Sequence, residues 1–124
     1  MSMPRFAETF APTGALRLGS WTMQPSRDDM VTCEATIALD DRIMSLQASA
    51  SGPIGAMTSM LHEIGAPLQI VTLHQRETDG LITTFLLCEH HDRQFWAYGD
   101  GHTSDEASVN AMIAGANRLL AKSV

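Results

Sequence analysis

Twice along this chain the spacing of apolar residues changes from about two to about 3.6, and each change falls at a glycine. The first lies in "SASGPIGAM" (Ser49–Met57). Before it, "MVTCEATIAL" and "RIMSLQASAS" flank Asp40-Asp41, the pattern of a β-hairpin closed by a short turn. After it, Ile54, Met57, Leu61 and Ile64 fall at helical spacing, with Pro53 suited to the first helical position and Gly65 to the position just past the end. The second change lies in "AYGDGHTSDEASVNAM". Before it, "PLQIVTLHQRE", "LITTFLLCEHH" and "RQFWAYG" read as three strands, with turns at "TDG" and near Asp92. After it, Thr103 is an N-cap with Glu106 completing a capping box, and Ala107, Ala111, Ala114, Leu119 and Leu120 form a broad apolar face.

Strands that give way to a helix, twice, predict an α+β fold of two pseudo-repeated strand-strand-strand-helix units, each an antiparallel sheet covered by a helix. With 124 residues, 44% of them hydrophobic, there is material for one core. Residues 1–25 read as an N-terminal arm, extended around Pro4, Pro12 and Gly14, leading into a candidate first strand at "LRLGSWTM" and the loop "QPSRDD". Residues 26–124 form the domain, with unit one at about 26–65 and unit two at about 66–124. Both helices start at the end of a sheet, so two sets of free backbone N–H groups, if they face each other, suit a small anion.

Composition narrows the function. The net charge is −6, with acidic and basic residues interspersed, so no basic face neutralises phosphates and no nucleic-acid partner is expected. No apolar run approaches the roughly 20 residues of a membrane span, and the first residues lack the apolar stretch of a leader; no membrane partner and a cytoplasmic location are expected. Cys33 and Cys88 sit in apolar strands and read as buried thiols rather than a disulfide. The Met1 start and the extended arm favour a complete chain over a piece of a longer one, and both readings stay open.

In pattern and order, Val31 to Leu120 resembles the C-terminal regulatory, leucine-sensing domain of bacterial 2-isopropylmalate synthases and their citramalate synthase relatives. The resemblance is carried by "GPIGAMTSMLHEIGAPLQIVTLHQRE" and "WAYGDGHTSDEASVNAMIAGANRLL", with Ala107-Ser108 and Asn117 at the family's alanine-serine and asparagine positions. It implies a homodimer that binds an end-product amino acid or related acid where the two units meet near the dimer interface, and a 2-isopropylmalate synthase-type enzyme as a partner. A catalytic barrel needs about 250 residues, so the resemblance implies a free-standing regulatory domain without condensing activity. It also implies that Gly52, Pro53, Ile54 and Gly55 help line the ligand site, that Ile70 and Leu73 touch the ligand's side chain, and that Asp100, Gly101 and His102 approach from the second helix start. The sequence departs from the family at "SASGP", where a glycine-rich approach is usual, and at Asp100, where an apolar or small residue is usual. The ligand's identity stays open.

Other readings of the same residues stand beside these. Gly52-Pro53 also serves simply to start a helix, and Ile70 and Leu73 also serve as sheet packing. An acid–base pair of His102 and Asp100 would be the enzymatic alternative, and an oligomerisation module without ligand the structural one. In "CEHHD" (Cys88–Asp92) the consecutive histidines are expected on opposite faces, so no metal site is expected. His62 and His74 read as surface or sheet-face residues, Met57 and Met60 as core or dimer interface, and Trp21 and Trp96 as core or interface anchors. No nucleophile elbow, phosphate loop or dinucleotide motif is present, so neither a catalytic residue nor a cofactor is assigned.

Overall fold

The computed structural model describes residues 5–6 and 15–121. The arm expected over the first residues thus lies largely outside the described residues. The elements follow in the order β1 (Arg5–Phe6), β2 (Leu16–Pro25), β3 (Val31–Leu39), β4 (Arg42–Ala50), α1 (Pro53–Glu63), β5 (Gln69–Thr78), β6 (Leu81–His90), β7 (Arg93–Gly101) and α2 (Ser104–Ala121). Two antiparallel sheets of three long strands result, each followed by a helix, and the first sheet is extended at its edge by the two residues of β1. This is the α+β fold expected. β2 runs two residues beyond the predicted strand, through Gln24 and Pro25, and it pairs with β3, so it belongs to the first sheet.

The turns show why the strands end where they do. Asp40, Asp79, His91 and Asp92 have positive φ, as has Gly80, the left-handed geometry of tight hairpins, which aspartate and asparagine tolerate better than most residues. His91 has left the strand, and its ring sits with its centroid 4.0 Å from that of His90. The opposite-face expectation for this pair is therefore corrected: alternation stops at the turn. Among the described residues no group of three or more metal-ligating side chains lies together.

One hydrophobic core unites the units, because Trp21, Cys33 and Ile37 of the first sheet, Met57, Met60 and Leu61 of α1, Leu86 and Cys88 of the second sheet and Val109 and Met112 of α2 pack in a single cluster. Trp21 and both α1 methionines are core residues. Asn117 locks the far end of α2 to the first sheet: its Oδ1 accepts from the Leu16 N–H at 2.8 Å and its Nδ2 donates to the Leu16 carbonyl at 2.7 Å. Both cysteines are free and buried. Burial, opposed by the charge of Arg118, pushes the Cys88 thiol up to about 11. Among the described residues no helix is long and apolar enough to cross a membrane.

Candidate functional site

The N-terminal ends of α1 and α2 open onto one cleft of about 430 Å³, within the roughly 300–1,000 Å³ of small-molecule sites. Ser51, Gly52, Pro53, Ile54 and Gly55 form one wall, Ser104, Asp105 and Ser108 the opposite one, and Leu73 and Gln75 of β5 lie between them. The sequence reason is the paired strand-glycine-helix junction, which brings both helices off their sheets at the same end of the core.

The two helix ends differ electrostatically. At α1 the N-cap is Gly52, which has no side chain to cap with, Pro53 occupies the first turn, and no acidic residue follows. Ala56 is the first residue to donate back to Gly52, so the N–H groups of Ile54 and Gly55 have no carbonyl of the helix to reach. This end carries partial positive charge toward the cleft. At α2 the cap is complete: Thr103 Oγ1 accepts from the Glu106 N–H at 3.1 Å, and the Glu106 carboxylate accepts from the His102 N–H at 2.8 Å. Its first turn adds Asp105, half-buried in the cleft wall. The thiol of Cys33 on β3 is pushed up to about 11, by burial first and then by the negative charge of Asp105.

Gln75 ties β5 to α2 at the cleft's edge. Its Nε2 lies 2.9 Å from Thr84 Oγ1, 3.0 Å from Ser108 Oγ and 3.1 Å from the Ser104 carbonyl, three acceptors for two hydrogens, while its Oε1 accepts from Ser104 Oγ. Thr84 and Ser108 are buried. The cluster is thus a polar wall with fixed donors and acceptors.

Of the residues singled out in the sequence, Gly52, Pro53, Ile54, Gly55 and Leu73 lie on the cleft. Ile70 is half-buried against the core, opposite Cys88. Asp100 and Gly101 belong to β7, which runs farther than the predicted strand. Alternation then places Asp100 opposite Thr83, on the sheet face away from α2, where its carboxylate accepts from Thr83 Oγ1 at 2.7 Å. Gly101 faces α2, and a Cβ there would lie 2.6 Å from the Ala107 nitrogen, so its role is close packing. His102 is exposed, and its backbone N–H is spent on Glu106. Gln75, Ser104 and Asp105 carried no distinguishing signal, because a strand glutamine and the polar residues of a helix start read as ordinary surface and capping chemistry, and Ser108 stood out only as part of the alanine-serine pair of the family resemblance, not as a cleft residue.

Fold and cleft together define a class of small α+β domain, two sheet-and-helix units around a shared core with one cleft between their helix starts. No family model matches the chain. It is 23% identical over 111 residues to the 2-isopropylmalate synthase of Arthrobacter sp. (strain FB24), covering 86% of this chain and 19% of that protein. To the 2-isopropylmalate synthase of Clavibacter michiganensis subsp. michiganensis (strain NCPPB 382) it is 24% identical over 115 residues, covering 90% of this chain and 20% of that protein. The chain spans about a fifth of the length of the curated relatives it matches. It is a homologue of one segment of 2-isopropylmalate synthase.

Proposed function

We propose that this chain is a regulatory module that binds a small α-amino acid with an apolar side chain, leucine or a close analogue, in the cleft between the two helix starts. The observation that carries the reading is the cleft's two-signed lining. Uncapped N–H groups of Ile54 and Gly55 suit a carboxylate, Asp105 opposite them suits an α-ammonium, and Ile54 and Leu73 offer apolar surface. A 2-oxo or 2-hydroxy acid would satisfy the first group and leave Asp105 without its partner. The relationship to a segment of 2-isopropylmalate synthase supports a role in regulating such an enzyme. In this reading the module works in the cytoplasm, condenses nothing itself and needs no cofactor. The exposed aromatic residues Phe85, Trp96 and Tyr98 support a homodimer as the working form.

Titration calorimetry with leucine, isoleucine, valine and 4-methyl-2-oxopentanoate tests this. The amino acids are expected to bind, and the oxo acid to bind at least about tenfold more weakly, as befits the loss of a charged hydrogen bond. Asp105→Asn should weaken the amino acids by about ten- to a hundredfold. Asp100→Ile should leave them unchanged. Equal binding of amino and oxo acids, or sensitivity to Asp100 rather than Asp105, would overturn the assignment. No binding of any of them by a chain that still self-associates would leave the oligomerisation module as the surviving reading.

A further inference from the structure

We infer that the outer face of the second sheet is the surface on which a second copy of this chain docks, sheet against sheet, about a two-fold axis running along the central strand β6. This rests on the homodimer proposed above and names its face. Strand register fixes what that face presents. Away from α2, His74, Phe85 and Tyr98 form one row across β5, β6 and β7, and Thr72, Leu87 and Trp96 the next. Phe85 is 36% exposed, Trp96 48% and Tyr98 65%. Phe85 packs on Tyr98 and His74 stacks on Trp96, both pairs with centroids 6.3 Å apart, so the rings already form one continuous apolar patch.

The first sheet, built to the same plan, shows that such a face need not be apolar. Its outer surface carries Ser20, Thr22, Glu34, Thr36, Ser45 and Gln47, with Ile43 an isolated exposed apolar side chain near its end. One face of the molecule suits water and the equivalent face of the other unit does not.

Charge selects the occupant. The row beside Phe85 places Arg76 on β5, Thr83 on β6 and Asp100 on β7. β5 and β7 are the two edges of this sheet. A two-fold axis along β6 exchanges those edges, so Arg76 of each copy faces Asp100 of the other, twice, while Phe85 and Leu87 meet their own counterparts at the centre. Such self-complementarity is a property of a surface that meets itself. Glu89, beyond Leu87 on the same strand, meets a like charge; the twist of about 30° between packed sheets moves these end residues apart.

Sedimentation equilibrium of the full chain and its variants tests the arrangement. Wild type should dimerise, and Tyr98→Asp, at an exposed position, should be monomeric with its melting temperature nearly unchanged. Arg76→Asp and Asp100→Arg should each weaken the dimer by about tenfold, since each creates two like-charge contacts. The double variant Arg76→Asp/Asp100→Arg should restore it. A dimer insensitive to all of these, or single effects that add rather than cancel, overturns the proposed face. A wild type monomeric at several hundred micromolar overturns the homodimer itself and leaves the cleft untouched. In that event, shielding of Trp96 from acrylamide would assign the face to another segment of the same chain, and capture by a purified 2-isopropylmalate synthase would assign it to that enzyme.

Discussion

Asn117 shows how much one side chain can fix in a domain of this size. It pairs with both the N–H and the carbonyl of Leu16, as a neighbouring strand would, and so ties the last turns of α2 to the start of β2 across 101 residues of sequence. Removing it leaves a part-buried donor and acceptor with no partner. Asn117→Leu should therefore destabilise the domain by about 2–3 kcal/mol, with Asn117→Asp equally poor because a carboxylate cannot donate. Chemical denaturation at neutral pH checks this, and a change below about 0.5 kcal/mol would show that water replaces the amide at both ends. Nothing local in "GANRLL" announces this role; the partner is at the other end of the chain. The same non-locality hid Asp105, whose meaning as a charge in the cleft appears only when the first helix start stands opposite it.

At the level of elements, α2 lies unusually close to β7. A Cβ on Gly99 would come 2.3 Å from the Ala111 nitrogen, and one on Gly101 2.6 Å from the Ala107 nitrogen, and in both cases the obstacle is helix backbone that no side-chain rotation relieves. Small residues on both surfaces let the helix settle onto the sheet. Gly99→Ala should force α2 away and cost about 2–3 kcal/mol, lowering the melting temperature by roughly 10 °C. A thermal melt within 2–3 °C of wild type, by the same conversion, would mean that the two elements separate cheaply. The elements themselves were largely legible in the sequence: apolar period, Pro53 at the helix start, the Thr103 cap and the aspartates of the turns each act over a few residues. Legibility failed at the end of β7. Pairing with β6 carries the strand through Gly101, and that parity turns Asp100 away from the cleft. A strand's last residues are decided by its neighbour, not by its own sequence.

At the scale of the whole molecule, two similar units share one core, and their similarity is what brings two helix starts to one cleft. Their differences then give the cleft its chemistry. The first start lacks a capping side chain and a first-turn acid, while the second has both, so the cleft has one wall of positive and one of negative character. The central claim is that this cleft receives the zwitterionic end of a small amino acid. The most direct test is a two-dimensional amide NMR titration of the isotopically labelled chain with leucine. Saturable shifts are expected at the amides of Ile54 and Gly55, at Leu73 and at Ser104 to Ser108, with Asp100 and the aromatic face of the second sheet unmoved at constant dimer population. Saturable shifts centred on Asp100, or none in the cleft while leucine demonstrably binds, would contradict the central claim.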